Sequence, residues 1–148
     1  MKKNGLTGLL LGLVVLLSGC ASVPMASLED DTQAKRFAVK ADKSNIYLYR
    51  NESFGGAIPM TVSLNGKVAG QTAPQTYFVW EVDPGSHEIA SHTENVSSLK
   101  LNTEPGKAYY VWQEVKMGLW MARSLLQQTD EETGRKGVLE CKRAQSAF

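Results

Sequence analysis

Cysteine and histidine are both scarce in this chain, two of each in 148 residues. Cys20 and Cys141 lie far apart, so there is no close cysteine pair of the kind that holds a structural zinc ion. Nor is there a cysteine framework like those that staple small secreted domains. His87 and His92 are all the imidazole available, which leaves little material for a nucleophile–base site. No Gly-x-Ser-x-Gly elbow is present. Charge of one sign is also missing: 16 basic residues face 15 acidic ones. A near-neutral chain without a basic run offers no electrostatic footprint for nucleic acid and no polybasic grip on anionic lipid. Finally, no apolar stretch reaches the roughly 20 residues that a membrane-crossing helix needs. These absences argue against a metal site, a cofactor, a nucleic-acid partner and an enzyme.

What is present begins at the N-terminus. Lys2 and Lys3 precede an apolar run of about 12 residues, Leu6 to Leu17, which ends on small residues and a cysteine. That is the three-part plan of a secretory signal peptide. A plain transmembrane anchor, or an ordinary signal peptide with an incidental cysteine, are the competing readings. The ending Leu17-Ser18-Gly19-Cys20 resembles the lipobox of bacterial lipoproteins, in which a diacylglycerol is attached to the cysteine and the signal is cleaved before it. The resemblance implies Leu17, Ser18 and Gly19 as the signal-peptidase recognition residues and Cys20 as the lipidation site. Two or more acyl chains hold a protein lastingly in a bilayer. By the enterobacterial sorting pattern, Ala21 after the cysteine points to the outer membrane, inner leaflet, facing the periplasm. With Cys20 acylated, Cys141 is left as a buried thiol or as one half of an intermolecular disulfide.

Cleavage before Cys20 would remove 19 of the 148 residues and leave 129, enough for one domain with a core of its own. Residues 20–37 mix small and polar residues with Pro24 and an acidic run. They read as a lipidated, flexible tether, with room for a short helix after Ser27. From residue 38 to 148 the pattern is that of short strands. Ile46 and Leu48 alternate with Tyr47 and Tyr49, and Met60, Val62 and Leu64 alternate with Thr61 and Ser63. Asn65-Gly66 is the strongest hairpin signal in the chain. Thr76 to Val82 stops at Asp83-Pro84-Gly85, Glu104-Pro105-Gly106 leads into Ala108 to Val115, and a last strand is expected over 124–128. Thr129 and Glu132 fit a capping box for a short helix running to about Cys141, which Gly134 and Gly137 weaken. The expectation is mainly β: an antiparallel β-sandwich of about seven strands with a short C-terminal α-helix.

Tyr-Leu-Tyr-Arg (47–50), Val-x-Leu-Asn-Gly-Lys (62–67), Pro-Gly-x-His (84–87) and Pro-Gly-Lys-x-Tyr-Tyr-Val (105–111) occur in that order before a closing helix. The order resembles a family of small bacterial lipoproteins known as a domain of unknown function, over roughly residues 38–142. The resemblance implies a β-rich, lipid-anchored domain and carries no catalytic or binding residues.

Candidate chemistry is thin. His87-Glu88-Ile89-Ala90-Ser91-His92 imitates the His-Glu-x-x-His zinc motif, but its histidines are five apart in a strand and point to opposite faces. His87 is better placed to fix the preceding turn. Gly55-Gly56 lacks the lysine of a phosphate loop, and the acidic pairs read as tether and helix start. The aromatics offer more. Tyr47 and Tyr49 share one face of their strand, and Tyr110 and Trp112 share one face of theirs. These four form a candidate binding face, either exposed or covered by a helix. The chain is therefore expected to be a membrane-anchored, non-enzymatic interaction or scaffold module of the bacterial envelope. Its expected partners are the bilayer, through acylated Cys20, and an envelope protein, with no cofactor. The alternative is a module that binds glycan, peptidoglycan or a small ligand on the aromatic face.

Overall fold

A computed structural model describes residues 22–53 and 58–148. Leu17, Ser18, Gly19, Cys20 and Gly55-Gly56 lie outside them. The described chain runs α1 (Leu28–Ala34), β1 (Ser44–Arg50), β2 (Met60–Leu64), β3 (Lys67–Thr72), β4 (Thr76–Val82), β5 (Gly85–His92), β6 (Val96–Thr103), β7 (Ala108–Lys116), β8 (Arg123–Thr129), α2 (Glu131–Leu139) and β9 (Lys142–Arg143). The strands form two sheets, β8-β7-β1-β4-β9 and β3-β2-β5-β6. The sheets face each other across Ile46, Leu48, Phe78, Trp80 and Val111 from the first and Val62, Leu64, Ile89 and Leu101 from the second. The mainly β sandwich with a short C-terminal helix is borne out.

Local chemistry explains where the elements turn. Asn65 and Gly66 both take positive φ, 50° and 79°, as a two-residue hairpin with the strands' own twist requires. Ser27 caps α1, its hydroxyl accepting from the Asp30 amide at 3.0 Å. β1 is buried along its whole length because it is covered on both sides. Ile46 and Leu48 face the second sheet, while Tyr47 and Tyr49 face a second cluster beneath α1 and α2. The molecule thus has three layers: helices, five-stranded sheet, four-stranded sheet.

Four expectations need correction. The first sheet is mixed, since β1 pairs with β7, and β4 with β9, in parallel. Nine strands are present among the described residues rather than about seven. The two parallel pairs join segments remote in sequence, so no turn signal announces them. Asp130, not Thr129, caps α2, accepting from the Thr133 amide at 2.8 Å. Thr129 is still held in β8, opposite Tyr110. Lastly, the tether expected over 20–37 is docked from Ser22 onward. The Ala26 amide donates to the Arg143 carbonyl at 3.0 Å, and the Gln145 amide to the Pro24 carbonyl at 2.9 Å. The apolar residues Val23, Ala34 and Phe37 give this segment something to bury, which a polar linker would lack.

Candidate functional site

The aromatic face is the first place to look, and it is roofed. Tyr47 and Tyr110 stack at 5.3 Å between centroids and 16° between planes, and Phe37 leans on both. Lys35 sits over the Tyr77 ring at 5.7 Å and Arg135 over Phe37 at 5.0 Å, favourable placements for a cation on a ring face. The phenols are used internally. Tyr47 donates to the Ala34 carbonyl at 2.9 Å, Tyr77 donates to Asp31 Oδ1 at 2.8 Å, and Tyr110 accepts from Arg135 Nε at 3.3 Å. Burial pushes the Tyr47 phenol up to about 12 and raises Tyr49, Tyr77 and Tyr110 as well.

The helix α2 reaches this face because it carries glycine where it touches. A Cβ on Gly134 would meet Tyr110 at 2.2 Å, and one on Gly137 would meet Tyr49 at 2.2 Å. The glycines that weaken the helix as a sequence are thus what lets it dock. The candidate binding face is corrected accordingly. Tyr47, Tyr49 and Tyr110 are buried and Trp112 is half-buried, so the four do not form an open platform for a glycan.

Asp31 ties the N-terminal segment to this layer. Its carboxylate accepts from Lys35 Nζ at 2.9 Å, from the Tyr77 hydroxyl at 2.8 Å and from the Arg143 amide at 3.0 Å. Burial alone would raise its pKa, but these donors and the Lys35 charge outweigh it and hold Asp31 below the ordinary carboxylate value. Cys141 lies in the same layer, buried, with its thiol 3.5 Å from the Arg50 carbonyl and pushed up to about 12 by desolvation. That is an unreactive thiol.

Between the sheets, at the end of the sandwich where β1 finishes, lies a run of buried polar groups. Thr72 Oγ1 donates to Gln113 Oε1 at 2.6 Å, Gln113 Nε2 donates to Ser91 Oγ at 2.7 Å, and Ser124 Oγ donates to Ser91 Oγ at 2.7 Å. Arg50 is fully buried beside them and donates to the Ile58 carbonyl at 2.9 Å. Thr72, Gln113, Ser91 and Ser124 thus bond one another in a chain, as buried polar groups usually do.

The histidines stay apart. His87 Nε2 donates to the Asp83 carbonyl at 2.7 Å and its Nδ1 lies 2.9 Å from Asn65 Nδ2. It therefore fixes the preceding turn, as expected, and also reaches across to the Asn65-Gly66 turn. His92 lies on the other face of β5, 3.1 Å from Ser63 Oγ. Among the described residues, no carboxylate is hydrogen-bonded to that pair in the way a triad requires.

One feature was not singled out from the sequence. The β7–β8 turn, Met117-Gly118-Leu119-Trp120-Met121, carries its apolar side chains outward, with Leu119 86% and Trp120 91% exposed. It is nonetheless ordered. Glu94, on the β5–β6 turn, accepts from the amides of Leu119 at 3.1 Å, Trp120 at 2.9 Å and Met121 at 2.9 Å, and these three donors hold its pKa down. Gly118 is obligatory here, because a Cβ would fall 1.9 Å from the Met121 carbonyl oxygen. An apolar five-residue run standing where a turn is due, without polar turn residues, was the available signal.

Together, the two facing sheets, the helical roof over one of them and the ordered apolar tip define a small helix-covered β-sandwich. A family model described as protein of unknown function (DUF2846) matches residues 40–124, and the chain belongs to that family. It is also similar to an uncharacterized protein of Haemophilus influenzae, 35% identical over 131 residues, covering 87% of this chain and 78% of the relative.

Proposed function

We propose that this chain is a membrane-anchored lipoprotein of the bacterial envelope, facing the periplasm, that works by binding another envelope protein rather than by catalysis. The observation that carries the anchor is the sequence Leu17-Ser18-Gly19-Cys20 behind a short basic and apolar leader. The non-catalytic part is supported by how the polar groups are used: Thr72, Ser91, Gln113 and Ser124 bond to one another inside the sandwich, and His87 and His92 serve opposite faces of one strand.

Two experiments test it. Replacing Cys20→Ala should abolish lipid labelling and leave the signal uncleaved; acyl labelling or signal cleavage that persists in that variant would sink the anchor. Photoreactive residues at the exposed positions Val68, Val96 and Leu139 should give position-dependent protein adducts in cells. Absence of any adduct at all three would sink the partner.

A further inference from the structure

Resting on the lipoprotein reading, we propose that the Met117–Met121 turn is a membrane-contacting tip that seats one end of the sandwich on the same bilayer that holds the lipid anchor. Strand register decides the placement. Arg50 pairs with Thr76, and Tyr49 lies opposite Trp112 in parallel. The end of β1, the start of β4 and the end of β7 therefore share one end of the sandwich. The 117–122 turn projects from that end.

The first described residues are there too. Ser22 and Val23 line a surface recess with Pro74, Gln75 and Thr76, in front of the start of β4. Ser22 follows Cys20 by two residues, a covalent reach of about 7 Å. β4 and β7 are two strand positions apart, about 10 Å across β1. A lipid on Cys20 and the tip of the β7–β8 turn thus approach a bilayer from the same side, across a width that a small domain spans.

The chemistry of the tip suits a lipid surface. Tryptophan, with an apolar body and one polar N–H, is enriched at the membrane–water boundary. Leu119 and the flanking methionines supply apolar area, with Met117 79% exposed. The basic residues beside the tip are already paired, Lys116 with Glu114 at 2.5 Å and Arg123 with Glu94 at 3.7 Å. The contact is therefore hydrophobic rather than electrostatic, and it should persist when salt is raised. Glu94 and Gly118 fix the backbone of the tip in advance, so little ordering remains to be done on insertion.

The mature lipidated protein, reconstituted in phosphatidylethanolamine–phosphatidylglycerol vesicles, tests this through its fluorescence. Trp80 is buried and Trp112 half-buried, so the difference between wild type and Trp120→Phe isolates the tip. Brominated acyl chains should quench most of that difference signal, and its emission should lie to the blue of the same signal without lipid. Leu119→Ser should weaken the quenching with the melting temperature unchanged. If Trp120 stays open to aqueous iodide while the protein remains vesicle-bound, the tip does not touch lipid and the inference falls. A photoreactive residue at position 119 that crosslinks a discrete protein in cells, with no lipid adduct, overturns it in favour of a protein partner. The intact mass separates the two readings. A mature protein without acyl chains removes the anchor and this inference together, whereas a lipidated protein with a water-exposed Trp120 removes this inference alone.

Discussion

Gly134 lies so close to Tyr110 that a Cβ built on the glycine would stand 2.2 Å from both the Cβ and the Cγ of the tyrosine. Those atoms belong to a buried side chain on a strand next to the centre of the sheet and cannot swing aside. Alanine at 134 would gain up to about 1 kcal/mol of helix propensity, against an overpacking cost of about 1–3 kcal/mol. Gly134→Ala should therefore lower the melting temperature, while Lys136→Ala, on the exposed side of the same helix, should leave it nearly unchanged. Equal or raised stability in Gly134→Ala would show that α2 is not pressed onto the sheet.

Asp31 makes the docking of the N-terminal segment pH-dependent. Its folded pKa is below its ordinary value of 3.8, so its contribution is complete above that value. The contribution is lost as pH falls through the lower, folded pKa. Asp31→Asn should cost about 1.5–3 kcal/mol at neutral pH, the range for bonds to a charged acceptor. It should also flatten the acid limb of a stability–pH curve. An acid limb identical to that of the wild type would rule Asp31 out as its source.

Cys141 should resist alkylation in the folded protein. A thiol raised to about 12 and buried just past the end of α2 presents almost no thiolate at pH 8. Labelling by iodoacetamide should follow unfolding as urea is added. Rapid stoichiometric labelling in native buffer would contradict the burial.

Glu94 should govern the order of the β7–β8 turn without governing the fold. Glu94→Gln weakens a carboxylate that accepts from three successive amides. Amide hydrogen exchange at 119–121 should quicken, with the melting transition little altered. Unchanged exchange would mean that Gly118 and the ends of β7 and β8 suffice to hold the turn.

Legibility in the sequence follows the range of the interaction. The alternation of Ile46 and Leu48 with Tyr47 and Tyr49, and the positive-φ pair Asn65-Gly66, are local signals, and they place strands and a hairpin correctly. That Tyr110 and Trp112 share one face of their strand is equally readable, because period 2 is a local property. What covers the tyrosines is not, because that depends on α2 returning to β7 and on Asp31 meeting Tyr77 and Arg143 across the chain. Gly134 and Gly137 misled for the same reason: propensity counts their cost within a helix, whereas their use lies in what the helix touches. β9 has only two residues, too short for any periodicity, and its existence depends on the neighbouring edge of β4.

β1 is the first strand in the chain, yet it occupies the middle of its sheet, between β4 and β7. Its antiparallel partner follows after two intervening strands; its parallel partner comes only after three more. Closing so remote a pair costs chain entropy before any contact rewards it, which slows folding. Until β7 arrives, the unpaired backbone edge of Ile46, Leu48 and their neighbours is a template for any other extended chain. The vulnerable interval for this domain is thus set by where β7 falls in the order of synthesis, and a second copy that donates its own β7 in that interval would produce a strand-swapped dimer.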